Sequence, residues 1–326
     1  MRKPLVTVIL PAKDAGEYIG TTLETLTRQF DDPVSLKLVA IDDGSRDDTG
    51  ALMRQYADRF PHSAVLRNPV ARGLASARNQ GLAHVEGDAF CFLDGDDWMQ
   101  PGRLEVLRSH LQELRCDFLR TDHVTVTGMQ RTLVRAPYPW RDRVVPPRAA
   151  ILPENEPTMV DYPYAWAGIF HRKVIDAGLA EFPEGLFTAE DRPWIWNLHL
   201  RAQSFAVVDA PALLYRRGVS TSLTQVRDRR QLDFVRAMNE VIATVQRDPE
   251  GERFMPKAVW TALALSSHHL VRARQMRRGL RGEMKTGIRD LLRTLPADDV
   301  AAAVARLDGP RRRVLAGVLR QAGHAA

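Results

Sequence analysis

Three carboxylates, Asp94, Asp96 and Asp97, stand within four positions at the end of the apolar run Phe90-Cys91-Phe92-Leu93. In water each close like-charged pair costs roughly 1 kcal/mol, and more when partly buried. A strand that delivers such a group to one rim therefore points to a cation there. Oxygen-only ligands suit hard ions such as Mg2+ or Mn2+, which keep several waters and pair with phosphate. The chemistry suggested is a diphosphate held through a metal at the carboxyl end of a buried strand. The competing reading is an ordinary solvated acidic turn. An EF-hand loop is disfavoured by the aromatic Trp98 that follows.

A rim of this kind needs several strands that end together. Leu5–Leu10 is a short β-branched run stopped by Pro11, the pattern of a strand buried on both faces. Asp14 and Glu17 read as a capping box, and Ile19, Leu23, Leu26 and Phe30 follow at helical spacing. A second strand, Leu36–Ile41, runs into Asp42-Asp43-Gly44-Ser45. Ser45 and Asp48 read as another capping box, with Leu52, Met53, Tyr56 and Phe60 as the apolar face behind it. Val65-Leu66 marks a third strand and Gly73–His84 a third helix; the carboxylate-tipped strand comes next. Strands alternating with helices imply βαβ units with right-handed crossovers, whose ligands bind beyond the carboxyl ends of the strands. Asp43 and the 94–97 group are expected to meet at that edge.

Further along, Pro101 opens a helix carrying Leu104, Leu107, Leu111 and Leu114, and Asp117–Thr127 reads as one extended segment. Residues 137–163 are rich in proline and read as loop; Phe205–Val208 and Leu213–Tyr215 read as late strands. After Arg227 the pattern becomes helical. The fold class is α/β, a mostly parallel Rossmann-like sheet flanked by helices, with a C-terminal helical appendage at 227–326.

With 326 residues and 44% hydrophobic content the chain can bury a sizeable core and is not a disordered polymer. Cys91 and Cys116 are the two cysteines, neither in a metal-ligand pattern, which fits a reduced cytosolic setting. A strand starts almost at once, without the apolar stretch of a signal peptide, and no apolar run approaches the ~18 residues of a membrane span. The expected location is cytoplasmic. The net charge of +6 is uneven: residues 227–326 carry +9 and residues 1–226 carry −3.

Five segments occur in a telling order: Val-Thr-Val-Ile-Leu-Pro-Ala-Lys-Asp (6–14), Ile-Asp-Asp-Gly-Ser-Arg-Asp-Asp-Thr (41–49), Gly-Leu-Ala-Ser-Ala-Arg-Asn-Gln-Gly (73–81), Phe-Leu-Asp-Gly-Asp-Asp (92–97) and Glu190-Asp191. Taken together they resemble a family 2 glycosyltransferase, an inverting, nucleotide-sugar enzyme of GT-A fold. The resemblance is strong over 5–98 and looser over about 160–226. It implies a nucleotide-binding half at 1–99 and an acceptor-binding half at 100–226. Pro11 and Ala12, with Asp14 nearby, would lie against the base. Asp43 would accept the uracil N3–H, which implies UDP. Asn68 and Arg78 would help hold base and ribose, Asp94 would reach the ribose, and Asp94 and Asp96 would serve Mn2+ or Mg2+ across the diphosphate. Asp191 would be the general base on the acceptor hydroxyl, with Glu190 the alternative. Transfer would be of hexosyl or N-acetylhexosaminyl type, onto a glycan or polyol-phosphate polymer of the cell wall or capsule.

Blander readings accompany these roles. Asp191 is also a natural first-turn acid of a helix, and Arg78 also reads as a surface charge. Tyr164, Trp166, Trp194 and Trp196 suit either a sugar platform or the core. His171 and His199 read as structural. One departure from the family pattern stands out: several relatives carry a His shortly after the late Tyr-Arg, whereas Tyr215-Arg216-Arg217-Gly218-Val219-Ser220-Thr221-Ser222 has none. Arg216, Arg217 and the hydroxyls of Ser220 or Ser222 are the substitutes for meeting the diphosphate. The arginines of the C-terminal helices suit a solvated face, an anionic membrane surface, an acidic polymer or a homo-oligomer contact. No nucleic-acid motif accompanies them. Rival functions are a non-catalytic sugar-nucleotide or anionic-polymer binder and a nucleotidyltransferase. The second lacks the Gly-rich phosphate loop it would need near residues 11–20.

Overall fold

The computed structural model describes residues 6–219 and 228–325. Two compact units are present, and the chain passes between them more than once. The first takes its residues from 1–147, 164–185 and 201–222; the second from 148–163, 186–200 and 223–326.

The first unit is built on β1 (Val6–Ala12), α1 (Ile19–Leu26), β2 (Leu36–Asp43), α2 (Thr49–Ala57), β3 (His62–Asn68), α3 (Leu74–Leu82) and β4 (Ala89–Phe92). After these come β5 (Trp98–Met99), α4 (Arg103–Leu114), β6 (Phe118–Arg120), β7 (His123–Thr127), β8 (Gln130–Val134), β9 (Gly168–His171) and the short α5 (Lys173–Asp176). The late strands are β10 (Phe205–Val207) and β11 (Leu213–Arg216). Seven strands form one sheet in the order β10-β6-β9-β4-β1-β2-β3. β1, β2, β3 and β4 run parallel; β9 is antiparallel to both β4 and β6. Every residue of β1, β2 and β4 is buried, as helices on both sheet faces require. A second sheet, β5-β11-β7-β8, joins residues far apart in sequence.

Several local expectations are refined. Pro11 does not stop β1: it lies inside the strand, opposite Ile41 of β2. The second strand extends through Asp42 and Asp43, so both carboxylates belong to the strand end. Neither capping box forms at α1 or α2. The Asp14 carboxylate accepts from the Arg46 amide (2.8 Å) and the Ser45 hydroxyl accepts from the Asp14 amide (3.0 Å). Asp47 accepts from the amides of Gly16 (2.8 Å) and Thr49 (3.1 Å). Helix-start acids and hydroxyls thus tie two neighbouring loops together instead of capping their own helices. The segment Asp117–Thr127 is two strands in two different sheets, β6 and β7.

The second unit is helical: α6 (Asp191–Arg201, up to Leu200), α7 (Asp233–Gln246), α8 (Gly251–Ala273), α9 (Arg278–Arg293), α10 (Ala297–Arg306) and α11 (Gly309–Ala322). Phe234, Met238, Val241 and Val245 form the buried face of α7, as their spacing predicts. The stretch 148–163 is tied to these helices. Arg148 makes a two-pronged bond to Asp248 (2.8 and 2.7 Å), and the buried Lys257 ammonium donates to the Glu156 carbonyl (2.7 Å) and pairs with Asp161 (2.5 Å). No helix among the described residues is long and apolar enough to cross a membrane.

Candidate functional site

Because β1 to β4 are parallel, Ala12, Asp43, Asn68 and the 94–97 turn emerge at one edge of the sheet. Ala12 lies opposite Asp42, and Asp43 opposite Asn68. The turn is drawn close against β1: a Cβ on Gly95 would lie 2.5 Å from the Ala12 Cβ, so no larger residue fits without displacement. The Thr22 hydroxyl donates to the Gly95 carbonyl (3.0 Å) and fixes the turn from the side of α1.

Asp43 is buried and held by three donors: the Asn68 side-chain amide (2.8 Å), the Arg72 amide (2.8 Å) and the Gly73 amide (2.9 Å). Its Oδ1 takes two of these bonds and Oδ2 one, leaving a lone pair on Oδ2 for a further donor. Asp42 instead closes its own turn by accepting from the Ser45 amide (2.9 Å). Gly44 has φ +74°, and Ala71 approaches to 2.6 Å from where its Cβ would lie, so this position demands glycine.

Arg78 comes up from α3 and is buried. Its Nη2 contacts both Asp94 oxygens (2.9 and 3.2 Å), and the guanidinium lies 5.0 Å from the Phe182 ring centre and 5.9 Å from that of Phe92. The surface-charge reading of Arg78 is therefore wrong. Asp96 is half-buried; burial, and after it the charge on Asp94, pushes its carboxyl up to about 6. Asp97 is fully buried, and burial followed by its acidic neighbours raises it further. Its Oδ1 accepts from the backbone amide of Arg216 (2.8 Å), fastening β11 to the turn.

Arg216, which the sequence offered for the diphosphate, reaches this turn through the pairing of β11 with β5. Its Nε donates to the Asp96 carbonyl (2.9 Å), and its guanidinium lies between two rings, 4.7 Å from the Tyr18 centre and 4.5 Å from Trp98. Aromatic faces attract and order an arginine while leaving its outer N–H edge to bind an anion. Tyr18 and Trp98 carry no motif signal for this task; their aromatic character beside acidic turns was the available hint. Arg217 is exposed, its amide donating to Val126 (2.8 Å). Ser220 and Ser222 lie outside the described residues.

The donor chemistry suits a hard divalent ion. Among the described residues no three His, Cys, Asp or Glu side chains gather as a self-sufficient metal site. Asp94 and Asp96 offer carboxylate oxygens alone, the donor set of an ion that completes its shell with diphosphate and water. The raised Asp96 carboxyl marks negative charge that the protein itself leaves undercompensated.

The four-residue aromatic platform does not form. Trp194 and Trp196 are buried in the helical unit, on α6. Tyr164 and Trp166 do stack (4.8 Å between centres), within a cluster that includes His123 and Tyr215. His199 is a core residue of α6, with Nδ1 3.0 Å from the Ile195 carbonyl. Glu190 and Asp191 belong to the second unit: Glu190 is buried, and Asp191 is half-exposed as the first residue of α6. Ala189, just before them, has φ +61°.

Comparison with known proteins agrees with this architecture. EpsJ of Bacillus subtilis, described as an uncharacterized glycosyltransferase, is 25% identical over 225 residues, covering 68% of this chain and 64% of EpsJ. This chain thus spans less than two thirds of that relative's length. The minor teichoic acid biosynthesis protein GgaB of the same organism is 29% identical over 106 residues, 32% of this chain and 12% of GgaB. Among solved structures, S. aureus TarS 1-349 in complex with UDP-GlcNAc superposes with a TM-score of 0.77 at 17% identity, covering 98% of this chain and 89% of that one, a likeness of fold. The family model described as glycosyl transferase family 2 matches residues 7–210, the stretch from the first strand of the sheet to the approach of β11. With GT-A topology and these motifs at the carboxyl edge, the chain belongs to glycosyl transferase family 2.

Proposed function

We propose that the protein transfers a hexosyl or N-acetylhexosaminyl group from a UDP-sugar to an acceptor hydroxyl by direct displacement, inverting the anomeric centre. One observation carries this reading: a carboxylate held by three donors, an Arg78–Asp94 pair, an undercompensated Asp96 and a ring-clamped Arg216 share one sheet edge. The remaining lone pair of Asp43 suits the uracil N3–H, with Asn68 and the Pro11-Ala12 backbone beside the base. Asp14 shapes the neighbouring loop through its bond to Arg46. Arg78 and Asp94 hold the ribose side, and Arg217 is available from solvent to the diphosphate.

Asp94 and Asp96 would hold Mn2+ or Mg2+, which supplies charge neutralisation for the departing diphosphate. Arg216 donates charge-assisted bonds to the same oxygens as negative charge grows on them. Asp191 accepts the acceptor hydroxyl's proton as attack begins, a contribution of ~100- to 10,000-fold. Its half-exposed place at a helix start leaves it accessible to an acceptor; the buried Glu190 is the less accessible alternative. Residues 1–99 form the nucleotide half of this proposal and 100–226 the acceptor half. The acceptor is a surface glycan or polyol-phosphate polymer, supported by the likeness to GgaB, and the donor assignment by the likeness of fold to TarS solved with UDP-GlcNAc.

The test is thermal protection by UDP with and without Mn2+, for the wild type and Asp96→Ala. Protection that needs the metal and vanishes in Asp96→Ala is expected. Equal protection of both proteins in chelator would remove Asp96 and the metal from the reading.

A further inference from the structure

The helical unit carries a cationic corner that the sugar-transfer chemistry does not use. Between Glu252 and Glu283 there is no Asp or Glu, while Arg253, Lys257, Arg272, Arg274, Arg277, Arg278 and Arg281 fall in that interval. The first two are engaged locally, Arg253 with Glu250 (2.6 Å) and Lys257 with Asp161 (2.5 Å). The other five cluster where α8 ends and α9 begins. Arg281 closes this turn by donating to the carbonyls of Arg274 (3.0 Å) and Met276 (3.3 Å). Arg274, Arg277 and Arg278 are exposed and form no ion pair with any described carboxylate. Elsewhere in the unit several arginines are matched, Arg229 with Glu283, Arg289 and Arg293 with Asp290, Arg306 with Glu154, and Arg311 with Asp308, whereas the exposed Arg313 and Arg320 stand singly on α11.

Val271 is also exposed at this corner, 47% accessible among the arginines. A cavity of this unit lies elsewhere, lined by Glu154, Trp260, Asp299 and Arg306. An acidic chain threading a groove would seek a cleft; here exposed guanidinium groups without ion pairs stand beside an exposed apolar side chain. That combination matches an interfacial surface, where cations meet headgroups and a small apolar residue enters the boundary layer.

We propose that the α8–α9 corner, through Arg274, Arg277 and Arg278 with Arg272 and Val271 beside them, docks the protein on an anionic phospholipid surface. Each basic residue near such a surface strengthens binding by about fivefold, so the three exposed arginines together account for about 100-fold.

The test is co-sedimentation of the full chain with phosphatidylcholine vesicles, with and without about one third phosphatidylglycerol. Binding to the anionic vesicles alone, weakened by added salt and cut about 100-fold in the triple variant Arg274→Ser/Arg277→Ser/Arg278→Ser, is the expected result. Unchanged thermal unfolding and UDP affinity in that variant would show that fold and nucleotide site are intact, so that loss of vesicle binding reports the corner itself. Absence of binding to anionic vesicles by the wild type, or full retention by the triple variant, would overturn the proposal. So would binding to soluble polyglycerol phosphate as tight as to vesicles and lost in the same variant, which would make the corner a polymer site.

Discussion

Asp94 is the residue where stability and ligand binding are most entangled, and Asp94→Asn separates them. Arg78 is 4% accessible and Asp94 23%, so this ion pair is largely withdrawn from water. Removing one partner of a buried pair costs 3–5 kcal/mol. Asp94 is partly solvated and Asn keeps one acceptor, which lowers the expected loss to about 2 kcal/mol. In a unit of this size that corresponds to a fall in Tm of about 4–8 °C. Replacing the arginine as well, in Arg78→Met/Asp94→Asn, places an apolar side chain against Phe92 and Phe182 and removes the stranded charge. The double variant should therefore be more stable than the sum of the single variants by about 1–2 kcal/mol. Chemical denaturation of the four proteins measures this coupling directly. Strict additivity, or a Tm unchanged in Asp94→Asn, would refute the claim that this pair holds α3 to the acidic turn. The outcome also governs how binding data are read: weaker UDP binding by Asp94→Asn could reflect a displaced Arg78 as much as a lost ribose contact.

Other consequences can be checked alongside. Trp98→Leu removes one face of the Arg216 clamp and should weaken metal-supported UDP binding by about 3- to 10-fold, a loss that Trp98→Phe largely avoids; equal affinities in calorimetry would deny the clamp a role. Asp191→Asn should retain UDP affinity while transfer falls at least 100-fold, and near-normal turnover would move the base elsewhere. Burial, followed by Arg120 and Arg103, lowers His123 from 6.5 to about 4. Its unfolded form gains a proton below 6.5 that the folded form refuses until about 4, so stability is complete above 6.5 and declines as pH falls through that window. Between pH 6.5 and 5 this is worth about 2 kcal/mol, and His123→Phe should show a correspondingly flatter denaturation profile; identical profiles would contradict the assignment. Gly95→Val should destabilise by more than about 2 kcal/mol through collision with Ala12, and a wild-type melting curve would show the turn to be looser than described.

Sequence alone determined the parts of this protein that depend on neighbouring residues. Apolar β-branched runs can be nothing but buried strands when helices alternate with them, and parallel strands must end on one edge. So β1, β2 and β4, the shared edge of Asp43 and Asp94–Asp97, and the family itself were legible before any coordinates. Local signals failed where a side chain had a better partner far away. Asp14 and Ser45 resemble caps, yet they bind each other's loops, because folding sets those loops side by side. Residues 117–127 look continuous, yet they divide between two sheets, a choice made by β9 and β11 from much later in the chain. Arg216 reaches Asp96, Tyr18 and Trp98 across more than a hundred residues through the β5–β11 pairing. Periodicity records which face of an element is buried, not which distant element buries it. That second choice depends on the summed packing of the whole chain, and so tertiary structure alone decided what surrounds the acidic turn.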